Sequence, residues 1–566
     1  MTGSPENAPE LLLGPLLRYV DDHRATVWVE TDRPCTVEVL GVQEPTWTVH
    51  GHHFALVAIT GLASGQAHEY AVRLDGTPVW PLPGSAFPPS VIRTFAHDEK
   101  FRLAFGSCRR SAPMDAENLA RFGADALVAM AHRMADADMK GWPDALFLGG
   151  DQVYADEPSE PQRERLREVH GAVADDDPMA AVREEIQNFE EYAWLYHDSW
   201  NHEAVRWLLS TVPSAMMLDD HDLRDDWNTS RAWREWVTRQ PWWRERVIGA
   251  FGSYWVYQHL GNLSPAELAQ DPTYAMVRSV TDDDERARRL DEFAWLADAE
   301  PASTRWSFVR DFGDERLGIR MVTIDSRCSR VLEPGSRAMV DDDEWQWLVE
   351  QTLPDDGTRI DHLMLGTTLP VLLLKGIHHL EGWDEAVAEG AWGRRAAVLA
   401  EQLRQAVDLE HWAAFRSTFH RLVALLDRIG SSAQPPASIL LLSGDVHCSY
   451  TASATTSGVD PQRTGLHQLT MSPFRNPLEP PIRFVNHLLK TGLARRVTHW
   501  LARRAGVADV DIDWDVDHGL WFDNGVMTVV FSGRTAHVEV DHAVVTGSGA
   551  DLGQALRRTV TQQLTP

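Results

Sequence analysis

Cysteine is scarce: Cys35, Cys108, Cys328 and Cys448 are the only four in 566 residues, and none forms a Cys-x-x-Cys pair. That excludes a disulfide framework and a zinc ribbon. Positive charge is also short, with 53 Lys and Arg against 83 Asp and Glu, for a formal net charge of −30. Such a chain repels a polyanion except at a local basic patch, so no nucleic-acid polymer is expected as partner. The same excess does not exclude a phosphate ester, because bound cations invert the field locally. No run approaches the ~18 apolar residues of a membrane span. Met1–Glu10 carries neither a basic leader nor a twin arginine, so the chain reads as cytoplasmic. No Gly-x-Ser-x-Gly elbow occurs, and no internal repeat is visible.

What is present points to two or more domains, since 566 residues exceed a single core. Residues 1–97 read as an all-β sandwich. Thr26–Thr31 and Thr36–Val39 alternate with period two around the turn cluster Asp32-Arg33-Pro34. Tyr70–Leu74 alternates again and ends at Asp75-Gly76, a hairpin signal. Gly61–Gly65 followed by Glu69–Val72 resembles the late strands of fibronectin type III-like modules. Residues 98–566 read as an α/β body with a helical, Trp-rich insertion at about 160–310. The 23 tryptophans read either as packing in helical layers or as the wall of an apolar cleft. Val387–Ile429 reads as two helices, and Gly525–Phe531 with Ala536–Val540 as an antiparallel edge. Ile482–Arg504 reads as one basic amphipathic helix. Its apolar stripe includes Phe484, Leu488, Val497 and Trp500, beside Lys490, Arg495, Arg496 and Arg503. It is either a surface helix neutralising acidic neighbours or a peripheral membrane contact.

Six apolar strands each end in residues able to bind metal, bind phosphate or move a proton. Ala145–Leu148 runs through Gly149-Gly150 into Asp151, with Tyr154 three residues on. Phe101–Phe105 precedes Gly106-Ser107-Cys108, and Ala215–Leu218 precedes Asp219-Asp220-His221-Asp222. Leu317–Ile324 precedes Asp325-Ser326-Arg327, and His362–Leu365 precedes Gly366-Thr367-Thr368. Ile439–Leu442 precedes Ser443-Gly444-Asp445-Val446-His447. Open α/β sheets bind ligands beyond the carboxyl ends of their strands. One such end is an ordinary turn; six argue for one shared site.

Cys108 supplies a thiolate once a metal lowers its pKa, Tyr154 a phenolate and His447 a ring nitrogen, a set suited to a trivalent or transition metal such as iron. Asp151 is placed to bridge two metals. Asp219, Asp220, Asp226 and Asp445 add carboxylates that suit calcium, magnesium or manganese. Two cations ~3.5–4 Å apart clamp a phosphoryl group, make hydroxide at neutral pH and stabilise the leaving oxygen. His221, followed by Asp222, is a candidate to orient phosphate or protonate the leaving group. Arg109, Arg110 and Arg327 are candidates to hold phosphate oxygens. Taken singly, each has an ordinary alternative: a buried cysteine, a histidine closing a turn, a salt-bridged arginine.

Gly106-Ser107-Cys108, Gly150-Asp151-Gln152-Val153-Tyr154, Asp219-Asp220-His221-Asp222, Asp325-Ser326-Arg327 and Ser443-Gly444-Asp445-Val446-His447 occur in the order of the PhoD-like alkaline phosphatase D family. The chain resembles that family, within the calcineurin-like metallophosphoesterase superfamily, over roughly residues 100–540. The resemblance implies a four-layer α/β/β/α sandwich behind an N-terminal β-sandwich, and phosphoester hydrolysis with a dinuclear or multinuclear site of iron (Fe3+) plus calcium (Ca2+), Mg2+ or Mn2+ being the alternatives. It implies Cys108, Asp151, Tyr154 and His447 at the iron-type site, and Asp151, Asp219, Asp220 and Asp445 at the second, with Asp226 adding to it. The chain departs from the wider superfamily in four places, the first being Asp219-Asp220-His221-Asp222 for a Gly-Asn-His-Asp block, where either Asp219 or Asp220 takes the asparagine's role. Ser107-Cys108 replaces an Asp-x-His opening, Asp445 replaces a histidine before Val446-His447, and Thr367 and Thr368 stand where many relatives carry histidine or glutamine. Each change makes the second site harder and favours calcium or magnesium over zinc.

The expected function is therefore a metal-dependent phosphoesterase acting on monoesters, diesters or both through a metal-activated water, with nucleotide or phospholipid esters as candidate substrates. The rival is a catalytically weak metal-binding scaffold whose β-sandwich and helical insertion recruit a partner.

Overall fold

Short alternating segments open the chain and form ten strands: β1 (Leu11–Val20), β2 (Arg24–Thr31), β3 (Thr36–Val39), β4 (Val42–Pro45), β5 (Trp47–Val49), β6 (His52–Thr60), β7 (Ala67–Glu69), β8 (Val72–Leu74), β9 (Thr77–Trp80) and β10 (Val91–Arg93). This computed structural model describes residues 8–566 apart from 96–99, 173, 175, 313–316, 355–356, 479 and 548–551. The expected boundary at residue 97 lies outside the described residues. Strands pair antiparallel in the orders β1-β2-β6-β5 and β4-β3-β8-β9, with β10 on β7. Asp75 and Gly76 both take positive φ, 47° and 82°, the handedness that a two-residue hairpin needs, and they close β8 onto β9. The strand expected at Tyr70–Leu74 begins only at Val72. Tyr70 is instead buried, and its hydroxyl donates to Ser210 O at 2.6 Å.

Thirteen further strands follow: β11 (Phe101–Gly106), β12 (Ala145–Leu148), β13 (Ser214–Met216), β14 (Val309–Asp311), β15 (Ile319–Ile324), β16 (His362–Thr367), β17 (Ser438–Ser443), β18 (Ser449–Thr456), β19 (Gly465–Thr470), β20 (Ile512–Trp521), β21 (Gly525–Ser532), β22 (Thr535–Thr546) and β23 (Gly553–Gln563). They make a mixed α/β body with two sheets, ordered β13-β12-β11-β21-β22-β23 and β14-β15-β16-β17-β19-β18-β20. The strands carrying the motifs are parallel to their neighbours, β11-β12-β13 in one sheet and β15-β16-β17 in the other. Their carboxyl ends therefore share a side within each sheet. The pair β21–β22 is not an edge: β21 lies between β11 and β22, and β23 takes the edge. Its sequence, GQALRRTVTQQ, is mostly polar and leaves little of the apolar signal by which strands are read.

Along the central strands, successive side chains bury on opposite faces. Met321, Met364, Leu440 and Leu442 share one apolar cluster with Leu103, Phe105, Phe147, Met527 and Val529 of the other sheet. Their neighbours Val322, Leu363, Leu365, Ile439 and Leu441 pack with Leu348, Phe419, Leu422 and Leu426 from helices Asp342–Thr352 and Arg416–Gly430.

The cleft reading of the insertion's tryptophans is corrected. Trp200, Trp207, Trp227, Trp243 and Trp255 are fully buried and join Trp28 and Trp47 in one core. Trp28 stands 5.2 Å from Tyr257 and Trp47 6.2 Å from Trp255, ring centre to ring centre. The large rings thus fasten the first ten strands to the helices. Polar groups do the same: buried Arg18 donates to Ser214 O, Tyr257 O and Gln258 O at 3.1, 2.7 and 2.6 Å.

The amphipathic stretch is two helices, Pro480–Leu489 and Gly492–Arg504, rather than one. Thr491 Oγ1 caps the second by accepting from Ala494 N at 3.3 Å, which ends the continuous pattern. The side chain of Phe484 lies outside the described residues. No helix among the described residues is long and apolar enough to cross a membrane.

Candidate metal centre

The strand-end loops are stitched to one another. Cys108 N donates to Gly150 O at 3.2 Å, Arg109 N to Asp151 O at 3.0 Å, and Gly444 N to Thr368 O at 2.8 Å. Close approach requires glycine at two points. A Cβ on Gly150, whose φ is +109°, would meet Asp219 Oδ2 at 2.7 Å, and one on Gly444 would collide with Ser107 Oγ. The backbone then takes a form that L side chains avoid: Cys108, Asp151, Asp445 and His447 have φ of 56°, 53°, 62° and 45°. Left-handed non-glycine residues are uncommon and gather at functional sites, where packing holds the strain.

Two groups of side chains result. Ligand atoms of Cys108, Asp151 and His447 all lie within 4.8 Å of one another. Tyr154 joins them, its hydroxyl 3.3 Å from Asp151 Oδ2 and 3.4 Å from His447 Nε2. Asp151, Asp219, Asp220 and Asp445 form a second group on the same 4.8 Å criterion, sharing Asp151 with the first. Asp151 Oδ1 and Asp219 Oδ2 are buried without a hydrogen-bond partner. Orphaned buried carboxylate oxygens are costly, and a cation satisfies them. The protein's own charges do not. Burial, then the charge of Asp219, pushes Asp151 well above the usual carboxylate range, and burial followed by Asp151 and Asp445 does the same to the Cys108 thiol. Asp219 is pushed up to about 6 by burial, with Arg327 pulling the other way. The donor sets therefore fit the implied cations: thiol, phenol, imidazole and carboxylate in one group, four carboxylates in the other.

The remaining residues sort differently. His221 is drawn in, its ligand atom within 4.8 Å of those of Asp151 and Asp220, and its Nδ1 is bonded to Asp156 Oδ1 at 2.9 Å. Burial lowers the pKa of this imidazole, but Asp156 and Asp151 outweigh that and raise it well above 6.5. Asp226 stands off the main group, clustered with Asp220 and Asp225 and accepting from Thr229 Oγ1 at 3.0 Å. Burial, then Glu410 and Asp408, pushes it up to about 10.

Three residues expected in catalytic roles are engaged by other groups of the protein. Arg109 is turned to Asp125, with Nε 2.9 Å from Oδ2, and to Ser199 O at 2.5 Å, so it braces a helix start. Asp222 accepts from Asp219 N and Gln258 Nε2, both at 3.0 Å, and closes its own turn. Arg327 is consumed by carboxylates: Asp219 Oδ1 at 2.6 Å, Asp220 Oδ1 at 3.3 Å, Asp445 Oδ1 at 3.2 Å, and Glu410. Its guanidinium thereby spans three carboxylates of the second group.

Glu410 and His411 escaped the reading of the sequence. Glu410 also accepts from Arg330 and from Thr229 Oγ1, both at 2.7 Å, and His411 Nδ1 bonds Glu381 Oε1 at 2.6 Å while Nε2 stands 4.0 Å from Asp445 Oδ2. They sit between two helices and follow no strand, so the strand-end signal could not find them.

The model of a domain of unknown function, DUF7800, matches residues 8–92. No curated protein matches the chain. The solved structure of PhoD is similar over 100% of this chain and 92% of that one, with TM-score 0.56 and 12% identity. Purple acid phosphatase PPD1 from yellow lupin (Lupinus luteus) seeds aligns over 95% of this chain and 72% of that one, with TM-score 0.46 and 10% identity. The chain thus has a PhoD-like fold.

Proposed function

We propose that the protein is a metal-dependent phosphoesterase of the PhoD-like type, built as a four-layer α/β/β/α body behind an N-terminal β-sandwich of residues 1–97. The observation that carries the reading is the meeting of Cys108, Asp151 and His447 within 4.8 Å, with Asp151 shared by a second carboxylate group. Cys108, Asp151, Tyr154 and His447 would hold an iron-type cation, and Asp151, Asp219, Asp220 and Asp445 a hard divalent one such as calcium. Bound there, the cations would supply a nucleophile from water at neutral pH and offset charge on a phosphoryl group. Arg327 keeps Asp219, Asp220 and Asp445 aligned, so little reorganisation is needed on binding. His221, held by Asp156 through Nδ1, would give a proton to the leaving oxygen. The substrate class is a phosphate monoester or diester, with nucleotide and phospholipid esters as candidates, and the compartment is the cytoplasm. Elemental analysis together with hydrolysis of p-nitrophenyl phosphate and bis-p-nitrophenyl phosphate tests it. Bound metal with turnover of either ester is expected; bound metal with neither would favour the scaffold alternative.

A further inference from the structure

A cavity of about 270 Å³ opens between helices Lys375–Ala388, Arg416–Gly430 and Gly492–Arg504 and strand β20, and no side chain of the metal centre lines it. Its wall is cationic, in a chain whose net charge is −30. The carboxylates on that wall are already taken. Asp513 pairs with Lys375 Nζ at 2.6 Å, and Asp509 with His499 Nε2 at 2.8 Å and Arg503 at 3.4 Å. Arg495 and Arg496 line the cavity, and among the described residues neither side chain has a hydrogen bond or ion pair. Deeper in, His378 is 7% exposed, between Phe419 and Trp514 at 5.0 and 5.1 Å, and its Nδ1 has no partner. Burial, then His499 and Arg495, pushes His379 down to about 4. Arg495 and Arg496 are both solvent-exposed, and the wall carries more cationic than anionic side chains.

We propose that this cavity binds a phosphate-bearing anion, held by Arg495 and Arg496 with His378 as a further polar contact. Each guanidinium can engage two oxygens of a phosphate at once. Phe419 and Trp514, both buried, add apolar atoms to the lining. Two sources share this chemistry, a soluble phosphate ester and the headgroup of an anionic phospholipid. The second arises because Leu493, Val497 and Trp500 on the same helix are 73%, 49% and 55% exposed, beside those arginines.

Equilibrium dialysis of labelled inorganic phosphate against the metal-loaded protein tests the site. Arg495→Ala/Arg496→Ala is expected to weaken one class of phosphate site at least ~10-fold, about 1.4 kcal/mol, with metal content and thermal midpoint unchanged. Asp151→Asn is expected to retain that class, which separates it from any phosphate held at the metal centre. Equal isotherms for the wild type and the double arginine variant would overturn the proposal. Co-sedimentation with phosphatidylcholine vesicles, with and without phosphatidylglycerol, then identifies the source. Binding that needs phosphatidylglycerol and is lost in the variant assigns the lipid headgroup; phosphate binding without sedimentation assigns the soluble ester.

Discussion

Arg327 Nε donates to Asp219 Oδ1 at 2.6 Å, and both side chains are fully buried. The same guanidinium touches Asp220, Asp445 and Glu410, so one fixed cation holds together four carboxylates brought from three separate loops. Uncompensated, buried charges of one sign repel strongly and shed their charge.

Arg327→Ala should therefore leave buried carboxylates unpaired and cost about 3–5 kcal/mol in metal-free protein. The loss should be smaller with cations bound, which offset part of the missing charge. Urea denaturation with and without chelator measures both, and equal losses in the two states would count against this role.

Asp151 is shared by both ligand groups, and Asp151→Asn should lower metal content and abolish detectable turnover with the circular dichroism spectrum unchanged. Changing even an outer partner of a metal site costs about 10–100-fold in affinity or activity. A bridging ligand should cost more, and activity within tenfold of wild type would exclude bridging by Asp151.

Gly150→Ala places a Cβ 2.7 Å from Asp219 Oδ2 on a backbone at φ +109°. Overpacking alone costs about 1–3 kcal/mol. The displaced Asp219 should also weaken the second cation while sparing the first, giving about one metal per chain by elemental analysis.

The joint between the first ten strands and the helices should respond to pH. Glu30 accepts from His52 Nδ1 at 2.7 Å, His197 Nε2 at 2.8 Å and Tyr257 OH at 3.0 Å. Burial lowers the pKa of His52, but Glu30 and Glu190 outweigh it, for a net rise above 6.5. A raised histidine contributes fully below 6.5 and loses its contribution as pH climbs through the folded-state value. For Glu30, burial raises the pKa but His197 and His52 outweigh it, for a net fall below 4.5, so its contribution is present above 4.5 and lost in acid. The thermal midpoint of wild type relative to His52→Gln should thus fall as pH rises from 6 toward 9. A difference constant over that range would refute the coupling.

Chelation should lower the melting temperature of the whole chain. A ligand present at 100 times its dissociation constant stabilises by about 2.7 kcal/mol. Calorimetry before and after stripping, with restoration by added metal, checks this.

The strand ends were legible because buried parallel strands are short apolar runs, and glycine with a polar residue marks where each run stops. Cys108, Asp151, Tyr154, Asp445 and His447 stand out in that way as candidates, and the structure brings them together. The failures have physical causes. Arg109 and Arg327 read as phosphate ligands because sequence shows a charge but not its partner, here Asp125 and four carboxylates. Glu410 and His411 were missed because they reach the site from a link between helices. The tryptophans read first as core packing, with a cleft wall as the alternative, because composition carries no direction.

By itself the sequence determined where the buried apolar strands of the two sheets run and which chemistry follows each, since these depend on local period and local breaks; the polar β23 left no such signal. Only the tertiary structure decided which ends meet, which arginines are already spoken for, and that the aromatic insertion fastens the first strands to the helices. Those outcomes depend on contacts between residues tens to hundreds of positions apart, and no local pattern encodes them.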